Sequence, residues 1–359
     1  MKVKRTTLKI CRALLFFSFF TACSTGPAEK AVRNRPENLG EDEFESFFDL
    51  PSPGDPLAVS SFPEIWGYLL AGRETSFSGN LPISDIGYFG AEIDMYGKLT
   101  DVPDPRNIPN FSGRVHMVVA CNSRALAHFT LREGSAERKA LVADLIAEAN
   151  NFDGLQIDFE LIPQKDAPAF LSFLAELRVG LRDKTFTVAL PARMGPDDIF
   201  DYRKIKPLVD RILVMAYDEH WSTSAPGPIA SLPWCKSVAE YALEVIGREK
   251  LIMGIPFYGR AWGNINPARA YIYSGIEAIL NENSIAEIRR ENGIPTFDYE
   301  IPVAVTVYYE DVYSLSVRMD MYKALGVRAI GFWRLGQETP AVWNVLRLEE
   351  GADSAARQD

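Results

Sequence analysis

Residues 153–160 read Asp-Gly-Leu-Gln-Ile-Asp-Phe-Glu. In a β-strand successive side chains alternate between faces, so Leu155, Ile157 and Phe159 share one face while Gln156, Asp158 and Glu160 share the other. Three polar groups on one side of an otherwise apolar strand are costly to enclose unless they are paired or used. Used, two neighbouring carboxyls suit general acid–base chemistry, one moving a proton while the charge of the other holds that proton in place. Unused, the same residues form a buried network tying the strand to its neighbours, and for an isolated Asp-x-Glu that is the first reading. A metal site is not expected, because the chain has three histidines and four scattered cysteines, with no CxxC pair.

Such a pair works only if the fold aims it at one hollow. Between residues 64 and 348, runs rich in β-branched and aromatic residues alternate with amphipathic stretches. Eight runs qualify as strands: Ile65–Leu70, Ile86–Phe89, Val115–Ala120, Leu155–Leu161, Phe186–Leu190, Arg211–Tyr217, Leu251–Phe257 and Ala329–Trp333. Phe170, Phe173, Leu174, Leu177 and Leu181 make one apolar stripe at helical spacing. Val238, Tyr241, Ala242 and Val245 repeat it after Pro233, and Val312, Leu315, Met319 and Tyr322 do so again, with Gly326 placed to close that helix.

Alternating strands and helices imply a parallel sheet with helices packed outside it. Eight such units over residues 64–348 predict an α/β fold of the single (β/α)8 TIM-barrel kind. The alternative, an open doubly wound sheet, wants a glycine-rich phosphate loop after its first strand, and Trp66-Gly67-Tyr68-Leu69-Leu70-Ala71-Gly72-Arg73 is not one. Gly263 to Pro302 breaks the rhythm, being polar, with a helical patch from Ile276 to Arg290 and a strand-like run, Val303–Tyr309, after it. It reads as a small α+β insertion between strands seven and eight, on the loop face where function collects. In a barrel Gln156, Asp158 and Glu160 point inward, the last two at the C-terminal end of strand four, where barrel enzymes keep catalytic groups.

The composition, 47% hydrophobic and 24% charged over 359 residues, excludes fibrous and wholly disordered chains. With 38 basic against 48 acidic residues and a net charge of −10, nucleic acid is not an expected partner. Lys2, Lys4, Arg5, Lys9 and Arg12 precede an apolar run, Ala13–Phe20, too short to span a bilayer, and Thr21-Ala22-Cys23-Ser24 follows. Residues 1–23 therefore read as an export leader. Their order resembles a bacterial lipoprotein signal, in which Cys23 is acylated and anchors the chain to a membrane on the periplasmic or outer side; an ordinary signal peptide cleaved near Ala22 is the alternative. Residues 24–63 read as a flexible acidic tether, 64–348 as the barrel and 349–359 as a loose tail. Cys121 and Cys235 lie in the globular part, where they either pair or remain buried thiols.

Together these segments resemble the chitinase-like glycoside hydrolase family 18. Its strand-four run Asp-x-x-Asp-x-Asp-x-Glu is met here by Asp153, Gln156, Asp158 and Glu160. Strand six of that family ends in Met-x-Tyr-Asp, matched by Met215-Ala216-Tyr217-Asp218, and strand eight supplies a tryptophan floor, matched by Trp333. The run Tyr308-Tyr309-Glu310-Asp311 entering a helix, and the insertion after strand seven, are similar too. Gln156 departs from the common pattern, which has a carboxylate there. The bacterial branch acting on spore-cortex fragments and peptidoglycan usually carries the amide Asn at that place, and Tyr217–Trp221 and Pro228–Trp234 also resemble that branch.

The resemblance implies a retaining hydrolase whose substrate supplies the nucleophile, the carbonyl of its own 2-acetamido group, to give an oxazolinium ion. It makes Glu160 the general acid and base. Asp158 holds the acetamido N–H and balances positive charge, and Tyr217 donates to the acetamido oxygen. Trp333 is the floor beneath the sugar, Asp218 and Met215 line the wall, and Gln156, Tyr68 and Trp221 are further candidate substrate contacts. His220 is a candidate loop contact, whereas Trp234 and Trp262 read as packing. Gln156 is expected to hold Asp158 in orientation. No cofactor is implied. The substrate is a glycan containing N-acetylglucosamine, with peptidoglycan or its fragments favoured over chitin, and a sugar-binding lectin on the same barrel is the alternative.

Overall fold

Strands that alternate bulky residues with small or polar ones can bury both faces by closing on themselves beneath a coat of helices. In the computed structural model, which describes residues 51–52, 54–197, 199–265, 273–291 and 294–350, eight strands do so. They are β1 (Glu64–Leu70), β2 (Asp85–Ile93), β3 (Arg114–Ala120), β4 (Gly154–Asp158), β5 (Thr185–Pro191), β6 (Arg211–Met215), β7 (Leu251–Pro256) and β8 (Ala329–Trp333). Each is parallel to the next, and β8 returns to β1 with Ile330 opposite Ile65, which closes the ring. The expected (β/α)8 barrel is the fold.

The interior fills in layers. Trp66, Tyr68, Val118, Ala189, Leu213, Ile252 and Ala329 form a buried cluster inside the ring, with Phe89, Met215 and Trp333 packed on it. Below it, at the N-terminal end of the strands, Asp85 takes two hydrogen bonds from Arg114, at 2.7 and 2.9 Å, and one from His116 at 2.7 Å. Trp66 stacks on His116 with ring centroids 4.3 Å apart. Burial alone would push the Asp85 pKa up, but the hydrogen bond and charge of His116, then those of Arg114, pull it down to about 2. This end of the barrel is a stabilising plug, which leaves the C-terminal mouth for chemistry.

The helices follow from the stripes. In α1 (Ala136–Ala149) Leu141, Leu145 and Ala149 are buried, and Ser135 caps the start by accepting from the Arg138 backbone N–H. In α2 (Ala167–Gly180) Phe170, Phe173, Leu174 and Leu177 are buried, while α3 (Leu232–Val245) buries Cys235, Val238, Ala239 and Ala242. The insertion carries α4 (Tyr273–Glu282), and α5 (Val312–Ala324) begins with an Asp311–Ser314 capping box and is followed by Gly326 at φ +88°.

Several expected boundaries move. Ladder pairing in β4 and β6 stops at Asp158 and Met215, so Glu160 and Tyr217 lie two residues beyond the last paired ones. The insertion helix ends at Glu282, because Arg289–Glu291 pairs antiparallel with Ile294–Thr296 instead of extending it. Arg260–Gly263 pairs antiparallel with Val305–Tyr308 as a ribbon flanking the mouth. Part of the segment read as tether belongs to the barrel unit: Ser60–Phe62 pairs with Leu346–Leu348, Phe62 is fully buried, and Tyr313 donates to the Pro51 carbonyl at 2.8 Å. Cys121 and Cys235 are free buried thiols, each with its pKa pushed up to about 11 by burial. The leader with Cys23, the tether through residue 50 and the tail from 351 lie outside the described residues. Among the described residues no helix is long and apolar enough to cross a membrane.

Candidate active site

The alternation expected along β4 holds. Leu155, Ile157 and Phe159 are buried, and Phe159 stacks on Phe173 of α2 with centroids 5.7 Å apart. Gln156 and Asp158 are buried inside the ring. Asp153, the first residue of the motif, has a different role: its carboxylate accepts from the Val115 N–H at 2.8 Å and ties β4 to the start of β3.

Gln156 does not reach for Asp158 with the contacts it makes. Its Oε1 accepts from the Tyr68 hydroxyl at 2.6 Å, and its Nε2 donates to Thr187 Oγ1 at 3.0 Å. The amide thus links β1, β4 and β5, where the expected role was to orient Asp158. Tyr68 lies flat against Gly87, where a Cβ would come 2.6 Å from its ring, so that position must remain glycine. From this seat Tyr68 meets Trp333 with ring centroids 5.7 Å apart, and Phe89 meets the same indole edge-on at 5.1 Å. Tyr68, Phe89 and Trp333 thus form an aromatic cluster at the C-terminal end of the strands.

Above Gln156, Asp158 Oδ1 is buried without a hydrogen-bond partner. Enclosure, and secondly the charge of Glu160, raise the Asp158 pKa well above the ordinary aspartate range. Glu160 follows at the open mouth, where the residue as a whole keeps an exposed surface. Its pKa is also raised, by lost hydration of the carboxyl first and by the charge of Asp218 second. Both carboxyls are thus biased toward their protonated forms. Buried acceptors without partners are rare in folded proteins and collect where a ligand completes them.

Tyr217 brings β6 into the same hollow. Its ring rests on Gly254 of β7, where a Cβ would come 3.0 Å from Cε1, and it meets Tyr258 edge-on at 6.3 Å. Burial, then Tyr258, Tyr68, Asp158 and Glu160, raise its pKa well above the usual tyrosine value, so the phenol remains a proton donor. Asp218 turns the chain sharply at φ +56°, and its Oδ1 accepts from the Tyr258 hydroxyl and from Arg260 Nη2, each at 2.7 Å. Met215 packs half-buried on the interior cluster. The structure therefore gathers Tyr68, Gln156, Asp158, Glu160, Met215, Tyr217, Asp218 and Trp333 around one mouth.

Trp221, three residues past Asp218, is anchored to its own loop and to the ribbon. Its indole N–H donates to Thr223 at 2.7 Å, and its carbonyl accepts from Trp262 of the ribbon at 3.2 Å. His220 Nδ1 donates to the Pro228 carbonyl at 2.8 Å. Trp262 packs edge-on to Tyr308, as expected of a packing residue.

Three site residues escaped the sequence reading. Thr187 had a legible signal, being a polar residue on the inward register of β5. Tyr258 and Arg260 had a weaker one, as Phe257-Tyr258-Gly259-Arg260 leaves β7 where Tyr217-Asp218 leaves β6.

Residues 115–338 match the model of the glycosyl hydrolases family 18, and the chain belongs to that family. It is a glycoside hydrolase by membership, with the motifs of the barrel mouth at the places described. It is 27% identical over 316 residues to the uncharacterized glycosylase YvbX of Bacillus subtilis (strain 168), covering 82% of this chain and 88% of that one. It is 25% identical over 288 residues to a cortical fragment-lytic enzyme of Bacillus anthracis, covering 73% of this chain and 66% of the other. Among solved structures, the spore cortex-lytic enzyme SleL of Bacillus cereus superposes with a TM-score of 0.65 at 21% identity, over 82% of this chain and 76% of that chain.

Proposed function

We propose that this hydrolase cleaves β-linked glycans containing N-acetylglucosamine with retention of configuration, and that peptidoglycan or its fragments are the substrate in preference to chitin. The observation that carries the reading is the buried, unpartnered Oδ1 of Asp158 beside Glu160 and Tyr217. An acetamido N–H is the donor that carboxylate lacks. Tyr217 donates to the acetamido oxygen, turning its carbonyl toward the anomeric carbon. Glu160, whose raised pKa favours the protonated form, gives its proton to the departing glycosidic oxygen. The C–O bond breaks as the acetamido oxygen bonds to the anomeric carbon from the opposite face, and the positive charge of the resulting oxazolinium ring is balanced by Asp158. Water, deprotonated by the now ionised Glu160, opens the ring and restores the starting state.

Preference for peptidoglycan is supported by Gln156, by the cortex-lytic relatives and by a leader that would export the chain. We further propose that Cys23 is acylated and anchors the enzyme to a membrane outside the cytoplasm. Digestion of purified peptidoglycan followed by mass spectrometry of the fragments tests the substrate. Muropeptides ending in reducing N-acetylglucosamine are expected, and intact strands alongside efficient cleavage of chitin oligomers would reverse the preference.

A further inference from the structure

Several arginines follow the C-terminal ends of the barrel strands. Arg260 is neutralised by Asp218 at 2.7 Å, and Arg193 by Asp197 at 3.0 Å. Arg73, in the loop after β1, and Arg334, next to Trp333, have no carboxylate within ion-pair distance among the described residues.

The turns that carry them touch. Leu335 N–H donates to the Tyr68 carbonyl at 2.9 Å, and a Cβ on Gly336 would come 2.8 Å from Ser76 Oγ. Ser76 in turn donates through its N–H and its hydroxyl to the Arg73 carbonyl, at 3.0 and 2.6 Å. The acids at hand are engaged elsewhere: Glu74 accepts from Gly72 N–H at 2.8 Å and from the Tyr88 hydroxyl, and Glu338 accepts from Gly336 N–H at 2.7 Å. Arg334 is half-buried; lost hydration first, and the charge of Arg73 second, lower its pKa. A guanidinium stays charged regardless. In a chain of net charge −10, two like charges are held together beside the sugar floor without a counter-ion of their own.

We propose that Arg73 and Arg334 form a carboxylate-recognising wall beside Trp333 that selects glycans bearing an acid group over neutral oligomers. The planar fork of arginine matches a carboxylate in two hydrogen bonds, which makes the pair a specificity element and not only a source of charge. This deepens the glycan reading above and rests on it. In peptidoglycan the acid has two sources: the carboxylates of the stem peptide, or the lactyl carboxylate freed when that peptide is removed.

Binding to the Glu160→Gln protein, measured by titration calorimetry, tests the proposal without turnover. Three ligands are compared: a neutral N-acetylglucosamine oligomer, a peptide-bearing muropeptide, and the same glycan stripped of peptide. At least one acid-bearing ligand is expected to bind about tenfold tighter than the neutral one, the scale of one charge-assisted pair. That ratio falls toward one when Arg73→Gln or Arg334→Gln is added, and the Lys versions recover part of it. Arg73 is exposed, so its variant probes the wall without disturbing the core. Preference for the peptide-bearing ligand alone assigns the stem-peptide acid, preference for the stripped ligand alone assigns the lactyl acid, and either supports the wall. Equal affinities in the starting protein, or a preference that survives both Gln variants, overturns it. Failure to bind any of the three glycans would instead overturn the reading of the site as glycan-binding, so the two failures are told apart.

Discussion

Replacing Gln156 by Leu removes two buried hydrogen bonds at nearly constant volume. Tyr68, 2% exposed, loses the acceptor of its hydroxyl. Thr187, fully buried, loses the Nε2 donor and keeps only a long contact to the Leu155 carbonyl at 3.5 Å. A buried polar group left without a partner costs about 1–3 kcal/mol. The Tyr68 hydroxyl carries most of that, because Thr187 retains part of its bonding, and together they predict a loss of roughly 2–4 kcal/mol. For a barrel of this size that lowers Tm by roughly 4–10 °C. The decisive form is a double-mutant cycle with Tyr68→Phe, followed by urea denaturation. Once the hydroxyl is gone, Gln156→Leu no longer strands it, so the double variant is expected to be more stable than the sum of the singles by about 1–2 kcal/mol. Additive losses, or a Gln156→Leu protein within about 0.5 kcal/mol of the parent, would refute the reasoning.

Asp218 raises the Glu160 pKa by its negative charge, so Asp218→Asn is expected to move the alkaline limb of kcat/KM to lower pH, since the acid must be protonated to act; an unmoved or upward-shifted limb contradicts this. Asp158 has a raised pKa in the fold, so it opposes folding increasingly as pH rises above its ordinary value of 3.8. Asp158→Asn is therefore expected to be more stable than the parent at neutral pH and to lose that advantage below pH 3.8, as followed by thermal melts across pH. Asp85 behaves oppositely: with its pKa pulled from 3.8 down to about 2, it stabilises the barrel above that window and the contribution disappears as pH falls through it. The effect is on the order of 2 kcal/mol, and Asp85→Asn should flatten the acid limb of the stability curve.

Much of the site was legible because β4 obeys a period of two. Gln156, Asp158 and Glu160 could be assigned to one face before any neighbour was known, and Phe159 to the helices. Where pairing stops was not legible: Phe159 and Ala216 are as apolar as the strands they follow, and only the ladder shows that Asp158 and Met215 are the last paired residues. The bonds of Gln156 were read wrongly because its partners stand 88 and 31 residues away, on strands whose register the local sequence does not encode. Arg260 and Tyr258 were missed for the same reason, since their meaning lies in Asp218. Residues Pro51 to Phe62 looked like tether because their polarity is that of a loop, and the groove that accepts Phe62 is built from the far end of the chain. The insertion helix was drawn too long because Arg289 and Arg290 suit a helix as well as a hairpin.

The central claim is that Glu160 moves the proton at an acetamido sugar held against Asp158 and Tyr217. Its most direct test is kcat/KM on a fluorogenic N-acetylglucosamine oligomer for the parent and for Glu160→Gln, with folding verified by circular dichroism. Measurable hydrolysis by the parent is expected, with a loss of at least about a hundredfold in the variant, carried by kcat. A Glu160→Gln protein that turns over within about twofold of the parent would contradict it.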